Sequence, residues 1–340
     1  MAGSFAVFDV LGIKNTFDIT NSVFFPGNLQ FLEFYGNPID FTRLAIPEYE
    51  NTVPGLWTDG GLSSNYEAIN QRVLTGLTKK YPEHDEIIYI GGILVEDKGI
   101  LTNRQKTNPS QGEVKFILNR IVALRVASEQ KLLSPKARKK DPPNFTPPRF
   151  WLRKPNCVVY VSFGTINIEG MDVYNLKIML NNFTNYGHCF FKVRLGEEHH
   201  LKEDYLETNI SFENFYNDQQ EILAKENTKL FISHCGINSL TESIYAGVPL
   251  ICIPDGGDQF YLSSLVEHKN IGIFVLSNQN FSEQFGNALE HIIGKRNINQ
   301  NSYRRAVNKL RRNILDDFNN IENPWIKDIF IGKIEEFIGE

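Results

Sequence analysis

Two short segments between residues 230 and 259 combine polar side chains with glycine directly after an apolar, strand-like run. In the first, the run Lys229–Ser233 leads through a turn with one glycine into a helical pattern. A helix that begins there directs its free N–H groups and the positive end of its dipole toward the turn, which suits a diphosphate. The candidate site residues of this segment are His234, Gly236, Asn238, Ser239 and Glu242.

The side chains of this segment add hydrogen-bonding groups of two kinds. His234 and the Ser239 hydroxyl are donors for a phosphate, and Glu242, one turn into the helix, is placed to accept from the two hydroxyls of a ribose. Ser239 and Glu242 also match the Ser-x-x-Glu capping box that begins a helix. The sequence alone leaves both interpretations open. Gly247 and Pro249 mark the end of the helix and the start of the next strand.

The second segment, Pro254–Gln259, follows the run Pro249–Ile253 and also begins a helical pattern. Asp258 and Gln259 have the groups to bind sugar hydroxyls, and the two glycines before them permit close approach of a ligand. Alternatively, Asp258 is an N-cap without a ligand. Asp255 and Asp258 have no histidine or third carboxylate nearby, which argues against a metal site.

A regular alternation of strand and helix patterns over residues 155–320 positions these segments. The predicted strands are Cys157–Phe163, Cys189–Val193, Lys229–Ser233, Pro249–Ile253 and Gly272–Leu276, and the predicted helices are Met171–Asn181, Ser239–Ala246, Gln259–Lys269 and Ser282–Ile293. This alternation predicts a doubly wound α/β domain, in which ligands bind beyond the carboxyl ends of the strands. Ser162, Gly164 and Thr165, at the end of the first strand, therefore join the candidate site. No strand is followed by GxGxxG, so a dinucleotide fingerprint is absent.

The remaining sequence is less regular. Residues 1–99 are typical of a partial α/β domain, with a helical pattern at Tyr66–Lys80 and a strand pattern at Glu86–Ile90. Residues 100–154 are basic and rich in proline, which predicts a linker or surface insertion, with contact to anionic lipid or nucleic acid as the alternative. The segment 321–340 is predicted to form a C-terminal helix.

Composition limits the classes of function. The 340 residues are 41% hydrophobic with a net charge of −5, which fits globular cores and argues against nucleic acid as the main partner. The sequence shows neither a membrane span nor a signal peptide, so we expect a cytoplasmic protein. The four cysteines include no CxxC pair, and we expect buried free thiols rather than disulfides or a zinc site. They are Cys157, Cys189, Cys235 and Cys252.

The order and spacing of the candidate residues resemble the UDP-glycosyltransferase family, which includes animal glucuronosyltransferases and glucosyltransferases. The family pattern His-x-Gly-x-Asn-x-x-x-Glu, followed by Gly-x-Pro and Asp-Gln, is matched between His234 and Gln259. The family's Trp-x-Pro-Gln motif falls at residues 216–219. There Tyr216 has an aromatic face to stack on uracil, Gln219 is retained, and Asp218 replaces the proline.

The resemblance implies a GT-B-like fold of two facing Rossmann-like domains, with a complete C-terminal domain and a partial N-terminal domain in this chain. It implies a metal-independent, inverting transfer of a hexose or glucuronate from UDP-sugar, the co-substrate, to a hydroxyl of a small lipophilic acceptor, with no further cofactor. The residues assigned to UDP-sugar by position are His234, Asn238 and Ser239 for the diphosphate, Glu242 for the ribose, and Asp258 and Gln259 for the sugar. Family members are often proteins of the endoplasmic reticulum membrane.

The family's catalytic histidine and the aspartate that orients it have no counterpart in this sequence, because residues 3–15 resemble the helix that follows that aspartate. A base is required because a hydroxyl is a poor nucleophile at neutral pH. One hypothesis is therefore a transferase completed by further chain or by a partner in a homo- or hetero-oligomer. The other is a non-catalytic UDP-sugar-binding homologue that lacks the base. The retained site residues argue against a third hypothesis, an interaction module that has lost its ligand.

Overall fold

The computed structural model describes residues 33–34, 37–38, 54, 92–102, 155–164, 171–196, 199–213, 218–294, 301–319 and 325–338. The chain divides into two units, residues 1–102 with 154–340 and residues 103–153, and every described residue belongs to the first. The helix predicted at Tyr66–Lys80, the strand predicted at Glu86–Ile90 and most of the predicted linker lie outside the described residues.

A six-stranded parallel sheet forms the core of the first unit. The strands are β3 (Val158–Ser162), β4 (Phe190–Arg194), β5 (Ile210–Glu213), β6 (Thr228–Ser233), β7 (Leu250–Cys252) and β8 (Gly272–Phe274); an antiparallel pair, β1 (Glu33–Phe34) and β2 (Asn37–Pro38), precedes them. The order across the sheet is β5-β4-β3-β6-β7-β8. The first of these strands along the chain, β3, lies in the middle of the sheet. The chain then forms β4 and β5 toward one edge, returns to form β6 beside β3, and continues through β7 and β8 to the other edge. The predicted doubly wound α/β fold is confirmed.

Helices cover both faces of this sheet. They are α1 (Ile93–Lys98), α2 (Val173–Thr184), α3 (Gln219–Leu223), α4 (Ile237–Ala246), α5 (Gln259–His268), α6 (Phe281–Ile293), α7 (Ser302–Asn319) and α8 (Ile326–Ile338), with a 3₁₀ helix at His200–Tyr205. On one face α2 and α6 bury Phe183 and Phe285, and on the other α4 and α7 bury Leu240 and Val307. Because both faces are covered, all of β3 is buried, which explains its continuous apolar sequence. Within the described residues, no helix is both long and apolar enough to cross a membrane.

Every strand and helix predicted between residues 155 and 293 is present, and the structure adds elements that were not predicted. In β5, an edge strand, only Ile210 is fully buried. The helix α3 has five residues, too few to show a periodicity. In α7 the buried positions Val307, Leu310 and Ile314 do have helical spacing, so this helix was missed although its pattern is present in the sequence.

The four cysteines form two disulfides, Cys157–Cys189 and Cys235–Cys252, so the prediction of free thiols is wrong. Cys157 and Cys189 precede the neighbouring strands β3 and β4, and their Cα atoms are 4.5 Å apart. Cys235 follows β6 and Cys252 ends β7, with their Cα atoms 5.3 Å apart. Both separations suit a disulfide. The parallel pairing creates these contacts, which sequence spacing does not reveal.

Residues 92–102 pack against the sheet domain. Val95 and Leu101 belong to the apolar cluster beneath α4, and the Ile326 N–H donates to Glu96 Oε2 at 3.0 Å, which joins α1 to α8. Leu101 and Thr102 are buried although they fall within the predicted linker. The position of α1 is therefore fixed by its apolar and polar contacts.

Gly247, which ends α4, provides a test of the packing of α4 against α7. Its φ is 67°, and an added Cβ would lie 2.4 Å from Asn308 Oδ1 and 3.0 Å from Arg311 Cδ. We expect Gly247→Ala to lower the free energy of unfolding by about 1–3 kcal/mol in urea denaturation, because it combines a strained backbone with a clash. Gly187→Ala is the matched control, because nothing lies within 4 Å of its added Cβ. Equal stability of the two variants would contradict this packing.

Candidate functional site

The candidate site lies where the chain changes direction, at the carboxyl ends of β3 and β6. These strands are neighbours, and Ser162 pairs with Ser233 at their ends. The next strand joins the same edge, since the Ile253 N–H donates to the Ser233 carbonyl oxygen at 2.8 Å. The loops after β3, β6 and β7 therefore begin side by side, as the doubly wound topology requires of a ligand site.

The imidazole of His234 lies between two glycine backbones. A Cβ added at Gly164 would lie 2.8 Å from His234 Cε1, and a Cβ added at Gly236 would lie 2.8 Å from His234 Nε2. Gly164 also has a φ of 85°, which disfavours any other residue. The two glycines that the sequence identified thus leave space for the ring, and they bring together the loops after β3 and β6.

A tight turn places His234 directly before the helix α4. Cys235 has a φ of 62°, and its N–H donates to Ser233 Oγ at 3.1 Å. Ser233 Oγ also lies 3.5 Å from His234 Nδ1. The helix begins at Ile237, so its first N–H groups and the imidazole face the same edge of the sheet.

The first turn of α4 shows that the capping-box interpretation is wrong. The N-cap is Gly236, and no side chain makes a capping hydrogen bond there. Ser239 is the third residue inside the helix, so it and Glu242 do not have the positions of a capping box. Asn238 is exposed at this open end of the helix.

Glu242 is held by two glutamines of α3. Gln219 Nε2 donates to Glu242 Oε2 at 2.5 Å and lies 3.3 Å from Ser239 Oγ, while Gln220 Nε2 donates to Glu242 Oε1 at 3.0 Å. Asp218 caps α3 by accepting the Gln220 N–H at 3.0 Å. The carboxylate is thus oriented on both oxygens. The sequence analysis identified Gln219 but missed Gln220, which nothing in the sequence distinguishes.

The groups around Glu242 change the pKa of its carboxyl in opposite directions. Burial raises the pKa of Glu242, whereas the hydrogen bonds from Gln220 and Gln219 and the positive charge of Lys98 lower it. The negative charge of Asp218 raises it. Burial alone would favour the protonated acid, and the donors around the group favour the carboxylate.

Burial has a larger effect on His234. It lowers the pKa of the imidazole from 6.5 to about 4, and the charge of Asp255 acts in the opposite direction. The ring is therefore neutral at physiological pH. A neutral imidazole has one N–H donor and one acceptor nitrogen.

The loop after β7 is organised by Gln259. Its Oε1 accepts from the backbone N–H groups of Asp255, at 2.8 Å, and Gly256, at 3.2 Å. Asp258 occupies the N-cap position of α5, but its side chain makes no capping hydrogen bond. Two further predicted site residues, Thr165 and Tyr216, lie outside the described residues.

The titration of His234 tests this environment. We expect ring-nitrogen NMR to give a pKa of about 4 for the imidazole, and Asp255→Asn to lower it further. An unfolded histidine protonates near 6.5, so the native state should lose stability as the pH falls from 6.5 toward about 4. Asp328→Asn, on α8, is a matched control that leaves the pKa of His234 unchanged. A pKa near 6.5 for His234, or an increase in Asp255→Asn, would contradict the described burial.

Comparison with known proteins gives a family match over this part of the chain. The model described as UDP-glucoronosyl and UDP-glucosyl transferase matches residues 153–317. The matched segment contains the six strands of the sheet and the loops after β3, β6 and β7 that form the site.

Curated relatives match a similar segment. UDP glycosyltransferase 9 of Catharanthus roseus is 34% identical over 128 residues, which cover 35% of this chain and 26% of the relative. An anthocyanidin 3-O-glucosyltransferase of Vitis vinifera is 38% identical over 130 residues, which cover 37% of this chain and 28% of the relative. The chain therefore spans about a quarter of the length of these relatives.

A solved structure is also similar. It is Os79 from O. sativa in complex with UDP, which is 26% identical, has a TM-score of 0.45, and is matched over 57% of this chain and 44% of its own. The family match and the curated relatives agree on the type of protein. Residues 153–317 of the chain are thus similar to the UDP-glycosyltransferase family.

Proposed function

We propose that this chain binds a UDP-sugar at the carboxyl edge of the sheet and supplies the donor-binding part of a UDP-glycosyltransferase. The observation that carries the proposal is the carboxylate of Glu242, which two glutamines orient one turn inside α4. The open N-terminus of that helix and the imidazole of His234 face the same edge. The match of residues 153–317 to the family model also supports a UDP-sugar as the ligand.

The start of α4 is the proposed diphosphate site. Its unpaired N–H groups and dipole favour an anion, and Asn238 and Ser239 extend from the same turn. His234, neutral at physiological pH, adds an N–H donor without the cost of burying a charge. Gly164 and Gly236 make room for this imidazole. Ser162, the last residue of β3, and Thr165, which follows Gly164 in the sequence, are further candidate ligands.

Glu242 is the proposed ribose ligand. A carboxylate accepts hydrogen bonds only, so it fits the two hydroxyl donors of a ribose. A carboxylate has about four lone-pair sites, so the hydroxyls would bind beside the amides of Gln219 and Gln220, which keep the group oriented, and Gln219 would also donate to the ribose. In the same proposal, Tyr216 stacks on the uracil.

The loop after β7 is the proposed sugar site. The oxygen of Gln259 already accepts two backbone N–H groups, so its amide N–H hydrogens remain to donate to a sugar hydroxyl. Asp258 does not cap α5, and its carboxylate is a second candidate ligand. Two glycines, Gly256 and Gly257, leave the loop open, since nothing lies within 4 Å of an added Cβ at either.

The proposed reaction is inverting transfer of a hexose or glucuronate to a hydroxyl of a small lipophilic acceptor, without a metal or further cofactor. Backbone N–H groups and the helix dipole would stabilise the departing UDP diphosphate. The acceptor hydroxyl also needs a base. Because its pKa is about 4, His234 is a poor candidate, and we assign no base among the described residues. Non-catalytic UDP-sugar binding, which needs no base, is the second candidate function.

Calorimetry of UDP binding tests the proposed site. We expect the chain to bind UDP, and Glu242→Ala to weaken the affinity about tenfold or more, because hydrogen bonds to a charged group contribute about 1.5–3 kcal/mol. The loss should be much smaller for 2′-deoxy-UDP, which lacks one of the hydroxyls. His234→Ala should weaken both ligands alike.

Glu283→Ala, an exposed position on α6, is the matched control and should bind UDP normally. Absence of UDP binding, or unchanged affinity in Glu242→Ala and His234→Ala, would contradict the site. Transfer or hydrolysis of a UDP-sugar by the purified chain would decide for a catalytic protein. Binding of UDP without either activity would show that this chain does not catalyse transfer by itself.

A further inference from the structure

An ion pair connects α1 to the glutamines that hold Glu242. Lys98, the last residue of α1, places its Nζ 2.6 Å from Asp218 Oδ2. The other carboxylate oxygen of Asp218 accepts the Gln220 N–H. Asp218 therefore binds Lys98 with one oxygen and caps α3 with the other.

The helix α3 depends on contacts outside itself. It has five residues, and so short a helix is unstable in isolation. Ile222 and Leu223 anchor its second half in the apolar cluster, and Thr228 Oγ1 donates to the Ile222 carbonyl oxygen at 2.6 Å. Its first half, which carries Gln219 and Gln220, has the Asp218 cap as its anchor.

The backbone that presents Lys98 is fixed. Val95 is buried beneath α4, and Glu96 accepts the Ile326 N–H of α8. Lys98 and Asp218 are the charged groups that act on Glu242. The helix α7, which also packs on α4, directs Arg311 Nε to the Tyr245 carbonyl oxygen.

We propose that Lys98 is a positioning residue for Glu242: its ion pair with Asp218 fixes the start of α3 and so holds Gln219 and Gln220 against the carboxylate. Lys98 lies before residue 153, where the family match begins. Asp218 stands where the family motif has a rigid proline. In this chain an ion pair from outside the matched segment thus sets the geometry of the motif. The expected effect of Lys98 on UDP binding rests on the proposed function.

Positioning and direct charge effects predict different pH dependence. Binding of ribose hydroxyls requires the charged form of Glu242, so it is lost as the pH falls through the pKa of that group. The glutamine hydrogen bonds and the charge of Lys98 lower this pKa, and the charge of Asp218 raises it. If the ion pair holds the glutamines, Lys98→Gln and Asp218→Asn both release these donors, and both should move the pH midpoint of UDP binding upward. Direct charge effects without a positioning role predict opposite shifts, upward in Lys98→Gln and downward in Asp218→Asn.

The experiment combines UDP calorimetry across the acidic and neutral range with carbon-13 NMR titration of the Glu242 carboxyl in the unliganded chain. At neutral pH we expect Lys98→Gln and Asp218→Asn each to weaken UDP binding about three- to fivefold, the effect of one partly exposed ion pair. Lys98→Arg should restore the affinity. Lys333→Gln, which breaks the surface ion pair with Glu336, is the matched control and should bind as the wild type does.

The outcomes separate the two proposals. Wild-type affinity in Lys98→Gln, with an unchanged pKa of Glu242, would overturn the positioning role while leaving the UDP site intact. If the wild type binds no UDP, the proposed function fails. The carboxyl titration then still decides the role of Lys98, because a higher pKa of Glu242 in both Lys98→Gln and Asp218→Asn supports it, and a lower pKa in Asp218→Asn rejects it.

Discussion

A carboxylate that is partly removed from water needs hydrogen-bond donors, and in this chain that requirement organises the candidate site around Glu242. The group lies on α4, where partial burial favours its neutral form. Two amide donors and a nearby lysine oppose that effect. The short helix α3 brings Gln219 and Gln220 to the carboxylate. Much of the local structure between α1 and α4 is thus accounted for by the orientation of one charged group.

The topology of the sheet places this group beside the other site residues. The chain reverses between β3 and β6, so the loops that follow them meet at one edge. Gly164 and Gly236 let the two loops approach until the ring of His234 fills the space between them. A larger residue at either position would displace the imidazole. The position of His234 is therefore set by backbone packing, and its low pKa follows from the same burial.

The sequence predicts the fold well where the signal is local. Strands buried on both faces, such as β3, are continuous apolar runs, and Gly247 marks the end of α4. The order of elements then predicts the sheet edge at which the candidate residues meet. The role of Glu242 was ambiguous, because the Ser239–Glu242 spacing does not show which residue begins the helix. The structure excludes the capping box, since the helix begins at Ile237, and the ribose role of Glu242 stays a proposal.

Other features arise only from tertiary contacts. Gln220 resembles any polar helical residue until α3 is packed against α4. The sequence numbers of Lys98 and Asp218 differ by 120, and only the fold brings these two residues together. The same holds for Cys235 and Cys252, which become neighbours when β6 pairs with β7. Sequence spacing predicts the candidate residues, and long-range packing determines how their side chains are held.

A crystal structure of the chain with UDP would show most directly whether the proposed site binds the nucleotide. We expect the diphosphate at the N-terminus of α4 beside His234, with both ribose hydroxyls within hydrogen-bonding distance of the Glu242 carboxylate. UDP bound elsewhere, or at this edge with its ribose turned away from Glu242, would contradict the proposal.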